Sequence, residues 1–211
     1  MGLAVTAGML AAIVPLDSEG ADYYRAVFAR IDKLLAAQKI NAKGYREPEE
    51  FTRPKMRRYL ASFPYEYMRL LTRAMARHIE GVPVVPVGAD TRDDRSIFAD
   101  ASSLLSSHLL LVCTTPQGVF VPVELGDPLF LEDGSGIPGS FLGSSLALVR
   151  ELTKLAVPLG ITLEGAALSD AEAARVYSDE AHPLYRERHA WLSLWECARV
   201  STMCTVSLVL H

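Results

Sequence analysis

No cysteine pair, no basic run and no apolar stretch of membrane length occurs in this chain, and each absence closes off a class of function. The three cysteines, Cys113, Cys197 and Cys204, are odd in number, sit among apolar neighbours and form no C-x-x-C pair. That usage fits a reducing compartment, here the cytoplasm, with cysteine serving as a small core residue. No cluster of five or more Lys and Arg appears. The tightest basic groups are Arg53-Pro54-Lys55-Met56-Arg57-Arg58 and Arg186-Glu187-Arg188-His189, and the net charge is −4. Binding to nucleic acid draws on phosphate neutralisation, so direct contact with nucleic acid is not expected. Met1 to Pro15 is apolar, and the first basic residue of the chain comes only at Arg25. It lacks the positive leader of a secretory signal and the roughly 18 apolar residues of a membrane span. The expectation is a segment that docks onto the core. Met1-Gly2-Leu3-Ala4-Val5-Thr6 matches the myristoylation pattern literally, but so short a pattern matches readily by chance.

The signatures of chemistry are equally sparse. There is no G-x-S-x-G elbow, no H-E-x-x-H and no Walker lysine. Gly134-Ser135-Gly136-Ile137-Pro138-Gly139 has the G-x-G-x-x-G spacing, yet Glu132-Asp133 stand where a dinucleotide fold needs a hydrophobic strand. His182, His189 and Glu196 recur every seven residues. On a helix that spacing is roughly 10 Å per step, too far for ligands of one metal ion. Asp90, Asp93, Asp94 and Asp100 lack the spacing of a calcium loop. Ser107-His108 is an adjacent pair, but adjacency along the chain does not build a triad. No catalytic residue, no metal site and no cofactor is therefore expected.

What is present is an ordinary globular composition: 211 residues, 50% hydrophobic and 22% charged. This suffices for one domain, 1–211, with a substantial core. Asp17 or Ser18 caps a helix to about Gln38, with Tyr24, Val27, Phe28, Ile31, Leu34 and Leu35 on one face. Asn41 to Glu50 reads as a loop. Helices are expected over 54–61 and from Pro64 to Gly81, the latter with Met68, Leu71, Met75 and Ile79 inward. Ser96 to Ser107 is left between loop and short helix. The apolar run His108–Cys113 reads as a strand, Thr115-Pro116-Gln117-Gly118 as a turn, and Val119–Leu125 as the hairpin partner. Pro122 cannot donate to a ladder, which puts that strand at an edge or a bulge. Gly126 to Gly143 reads as a long surface loop, followed by a helix starting at Gly143-Ser144-Ser145 and stopped by Gly160. Ile161–Glu164 reads as a short strand, Ser169-Asp170-Ala171-Glu172 as a capping box, Pro183 onward as a long helix and Thr205–Leu210 as a last strand. The fold class is α+β: a helical N-terminal segment on a small, mostly antiparallel sheet, with a β-hairpin at about 108–125 and a C-terminal strand, flanked by helices.

Ser106-Ser107-His108-Leu109-Leu110, then Gly118-Val119-Phe120-Val121-Pro122-Val123, then Leu142-Gly143-Ser144-Ser145 before an amphipathic helix resemble the immunity-type proteins of bacterial toxin–immunity systems. The resemblance implies a cytosolic protein that neutralises a cognate toxin by binding it, with no catalytic residues. The modest charge departs from what a basic nuclease would call for.

Two classes of function remain open. One is a protein-binding role, of the immunity type, through the edge strand at Val119 and Val121 and the carboxylates Asp127 and Asp133 of the long loop. An edge strand can accept a partner strand, although Pro122 is equally a device against pairing. The other is a small-molecule or phosphate-binding protein, or an enzyme, with an anion held by Gly143, Ser144 and Ser145, since the amides of a helix N-terminus favour negative charge. Plain N-capping by Ser144 accounts for the same residues. A third arrangement, a subunit that assembles through Trp191, Trp195 and the apolar N-terminus, would use apolar surface alone.

Overall fold

The computed structural model describes residues 2–50, 56–89, 97, 105–113, 115 and 117–211. The chain opens with strand β1 (Gly2–Ala7), helix α1 (Met9–Ile13) and helix α2 (Ser18–Ala37). Strand β2 (Leu60–Pro64) runs into α3 (Tyr65–Ile79), and a 3-10 turn covers Leu110–Cys113. Then come β3 (Gly118–Val121), β4 (Leu129–Phe130), a second 3-10 turn (Pro138–Ser140) and β5 (Phe141–Ser144). Helices α4 (Ser145–Ala156), α5 (Asp170–Ser178) and α6 (Tyr185–Cys204) precede the last strand, β6 (Leu208–Leu210).

The six strands form one sheet in the order β2-β1-β6-β3-β5-β4. All neighbours are antiparallel except β3 and β5, which pair in parallel from Val119↔Leu142 to Val121↔Ser144. The α+β class, with a mostly antiparallel sheet, is therefore what the chain adopts. Both faces of the sheet are covered, because alternate strand residues leave to opposite sides. Leu3, Val5, Phe120, Leu208 and Leu210 enter a core shared with α3, α4 and α6. Val119, Val121, Leu142 and Val209 enter a second core built on α2. A β3 buried on both faces explains why its four residues are all apolar or glycine.

Local chemistry sets the helix starts. The Asp17 carboxylate accepts from the Gly20 amide at 3.0 Å, and Tyr24, Val27, Phe28, Ile31 and Leu35 then turn inward. Pro64 stands immediately before α3, as expected. Ser169 accepts from the Glu172 amide at 3.2 Å. The expected capping box is only half made: the Glu172 carboxylate goes to the Thr162 amide and to Arg175 instead. Helix α6 is the centre of the larger core. Trp191 stacks on Trp195 with centroids 5.0 Å apart, and its indole N–H donates to the Leu152 carbonyl at 2.7 Å. Both tryptophans are fully buried, so they form no subunit interface.

Several expectations are corrected. The run His108–Cys113 is not a strand, and there is no 108–125 hairpin. The Glu151 carboxylate takes the amides of His108 and Leu109, each at 2.8 Å, and the chain turns into a 3-10 helix above it. Strand β3 is interior, flanked by β6 and β5, and Pro122 falls just past its last paired residue. The expected 126–143 loop carries β4 and β5. The described part of 54–61 forms no helix and leads through bends into β2. Residues 161–164 contribute one isolated bridge, Glu164↔Ala167, in place of a strand. The N-terminal segment docks as a full strand of the sheet, between β2 and β6. The Asp90–Asp94 loop, the Ser96–Leu104 stretch apart from Ile97, and the centre of the Thr115–Gly118 turn lie outside the described residues.

Candidate partner-binding face

The connection from β3 to α4 places most of the residues singled out in the sequence. Gly143 and Ser144 end β5, and Ser145 begins α4. A Cβ on Gly143 would stand 2.3 Å from the Phe120 ring, so the close approach of β5 to β3 requires glycine there. Ser144 caps α4 as anticipated: its hydroxyl accepts from the Ala147 amide at 3.1 Å and donates to the Val123 carbonyl at 2.7 Å. Ser145 pairs with the Ser201 hydroxyl at 2.8 Å. Ser144 and Ser145 are both completely buried, and their hydroxyls are already engaged. The α4 N-terminus is sealed by protein and offers an anion no way in, which corrects the expectation for Gly143, Ser144 and Ser145.

A buried polar network holds this junction. His108 Nδ1 accepts from the Ser144 amide at 2.9 Å. An accepting Nδ1 leaves the proton of a neutral ring on Nε2, which has no hydrogen-bond partner. Burial, reinforced by the charge of Arg150, pulls the His108 pKa down to about 4, against the opposing influence of the Gly126 and Leu125 backbone and of Asp127. Glu151 binds the Ser107 hydroxyl at 3.0 Å besides the two amides, and burial raises its pKa. A serine, a histidine and a carboxylate thus lie close together, but their geometry is not that of a triad. The Glu151 carboxylate accepts from the Ser107 hydroxyl directly, while the imidazole faces the Ser144 amide and touches neither that hydroxyl nor the carboxylate, so no carboxylate–imidazole–hydroxyl relay is formed. Three concavities of about 380, 370 and 420 Å³ lie elsewhere, and none is lined by Ser107, His108 or Glu151.

Val119 and Val121 are also fully buried, on the interior strand β3. They present no edge to a partner, a correction that follows from the two strands flanking them. The edge on this side is β4, a two-residue strand that among the described residues pairs only with β5. Leu129 and Leu131 pack inward on the α2 core, while Phe130 between them is 56% exposed. Asp127 lies just before this edge; Glu132 and Asp133 lie just after it. All three are exposed, and no cation among the described residues pairs with them. Glu124 nearby is neutralised by a two-pronged pair with Arg150, at 2.8 and 2.9 Å, which lowers its pKa.

A signal for this face lies in where the charge falls. The chain has 21 basic and 25 acidic residues. From Ser96 to Val149 there is no Lys or Arg, against five carboxylates, Asp100, Glu124, Asp127, Glu132 and Asp133. The rest of the chain then carries 21 basic and 20 acidic residues, a net of +1. The whole negative excess comes from this one stretch, and an average over the chain conceals it.

Elsewhere several charges are paired. Arg57 binds the buried Glu196 through Nε at 2.9 Å and Nη2 at 2.7 Å, and also binds Asp170 and the Leu168 carbonyl. Arg188 pairs with Asp179 at 3.0 Å. His182 precedes α6, and His189 sits among the rings of Phe63, Tyr67, Tyr177 and Tyr185. Among the described residues no group of three His, Cys, Asp or Glu side chains is placed to hold a metal ion. Gly134 to Gly139 leads into strand β5, not a helix, unlike a dinucleotide turn. No helix among the described residues is long and apolar enough to cross a membrane.

Fold and charge together define an α+β protein with three exposed carboxylates, Asp127, Glu132 and Asp133, flanking one edge of a doubly covered sheet. The sequence model of the family described as "Putative DNA-mimic protein" matches residues 1–210, and the chain belongs to that family. Neither a curated protein nor a solved structure matches it. The family overturns the resemblance to immunity-type proteins, and with it the toxin–immunity assignment. The segments that carried the resemblance are a 3-10 turn, an interior strand and a strand–helix junction.

Proposed function

We propose that this protein binds a DNA-binding protein, presenting Asp127, Glu132 and Asp133 where that partner would otherwise meet phosphates. The observation that carries the reading is the charge distribution: a near-neutral body and one stretch of 54 residues without a single cation. The family description supports it. A surface that binds DNA is built from Lys and Arg that release counterions from phosphate, and exposed carboxylates beside the β4 edge answer the same cations. The same charge turns nucleic acid itself away. In this reading Asp127 and Asp133 take the partner-binding role, joined by Glu132.

The test uses host proteins retained on DNA-cellulose, passed over the immobilised full chain. A retained protein that double-stranded DNA elutes, and that the Asp127→Lys, Glu132→Lys, Asp133→Lys variant fails to hold, is the expected result. Retention that survives charge reversal, or that DNA does not compete, would reject the reading.

A further inference from the structure

We infer that the partner meets this face with an extended basic segment, which adds to the sheet beside β4 and exchanges hydrogen bonds with the backbone of Phe130. The inference rests on the reading just given and specifies how the contact is made.

The register carries it. Leu129 pairs with Leu142 and Phe130 with Phe141, and the Leu131 amide donates to the Ser140 carbonyl at 2.9 Å. In an antiparallel ladder alternate residues turn their amide and carbonyl to the neighbour. Leu129 and Leu131 therefore face β5, and Phe130 turns both groups outward. Strand β4 is the last of the sheet, and no described residue bonds to the outward groups of Phe130. Pro128 before it has no amide hydrogen, so the free edge begins at Phe130. The exposed Phe130 ring stands at the same place.

Charge selects the occupant. A second copy adding antiparallel about Phe130 would set Asp127 against Asp133 and Pro128 against Glu132. Like charges directly opposed across strands destabilise pairing. An extended segment carrying Arg or Lys reverses that sign beside these carboxylates. The opposite edge, β2 (Leu-Ala-Ser-Phe-Pro), is preceded by Arg57 and Arg58, whose charge disfavours a basic segment. A basic extended segment is also a form in which proteins contact DNA.

The test uses a seven-residue peptide of alternating Arg and Val, titrated into the full chain at low salt. Phe130→Ala and Phe130→Pro both remove the ring, but only the second removes the amide hydrogen. Binding by Phe130→Pro about fivefold weaker than by Phe130→Ala is expected, the worth of roughly one hydrogen bond. In the unaltered chain, saturation with peptide slows hydrogen exchange at the Phe130 amide about tenfold or more. This second readout holds even where the proline variant folds poorly. Equal binding by the two variants with unchanged Phe130 exchange overturns strand addition, while binding that still needs the three carboxylates leaves the function intact. Binding that is indifferent to charge reversal at Asp127, Glu132 and Asp133 overturns both.

Discussion

The imidazole of His108 accepts a hydrogen bond from the Ser144 amide at 2.9 Å, across 36 residues of chain, and so ties the 3-10 turn to the start of α4. Only a ring without a proton on Nδ1 makes this contact. The folded pKa of about 4 lies below the ordinary 6.5, because burial penalises the cation. A depressed pKa gives stability that is present above about pH 6.5 and is lost as pH falls through 4. The difference amounts to about 3 kcal/mol. Urea unfolding at pH 7 and near pH 4 should show that loss. His108→Asn keeps an acceptor for the Ser144 amide but cannot titrate, and should flatten this part of the profile.

Glu47 has the opposite sign. Its carboxylate accepts from the Ser207 amide at 2.7 Å. Burial nevertheless raises its pKa to about 7, against the lowering influence of Ser207 and of the Leu10 and Met9 amides. With a folded pKa above the unfolded value of 4.5, the protonated form is favoured in the native state. The associated stability is complete below about pH 4.5 and disappears as pH rises through 7, again about 3 kcal/mol. Glu47→Gln removes this alkaline decline. The readout is the change in stability between about pH 5.5 and 8, which should shrink whatever the variant's absolute stability.

Periodicity and caps made the helices legible. Asp17, Pro64, Ser144 and Ser169 each stand at a helix entrance where the sequence placed them. The sheet was harder, because its partners lie far apart in the chain: β1 pairs with β6 across the full length of the protein. His108–Cys113 had the composition of a buried strand, and only Glu151, on a helix some 40 residues later, makes it turn. Pro122 pointed to an edge, yet the ladder ends at Val121 and leaves the proline harmless. Of the candidate site, Asp127 and Asp133 could be picked out because they interrupt a glycine-rich stretch. Glu132 adjoins Asp133 and was legible through the same Lys- and Arg-free stretch, while its lack of a cationic partner shows only on the folded surface.

Arg57 should prove a structural residue whose loss is felt at Glu196. The Glu196 side chain is only 3% exposed and takes two of its hydrogen bonds from that guanidinium. Arg57→Ala strands a buried carboxylate. Because the Arg57 side chain is itself about a third exposed, the expected cost is reduced to about 2 kcal/mol. Pairing it with Glu196→Gln recovers part of the loss, since the charge is then gone as well. A double-mutant cycle measured by urea unfolding gives the coupling; simple additivity of the two changes would contradict the pair's importance.

Gly143→Ala separates the scaffold from the face it supports. The added methyl meets the edge of the Phe120 ring at 2.3 Å, inside a core where Phe120 is fully buried and packs edge-on against Phe141 at 5.8 Å. The ring has no empty space to move into, so strand β5 must shift away from β3. Overpacking of this kind costs about 1–3 kcal/mol. Because β4 hangs on β5 alone, the shift should reach Leu129 and Phe130 while the distant Arg57–Glu196 contact stays in place. Amide hydrogen exchange checks this directly: faster exchange across β4 and β5, with the α6 segment around Glu196 unchanged, is the expected pattern. A uniform loss of protection over the whole chain would mean that this edge does not yield separately from the core.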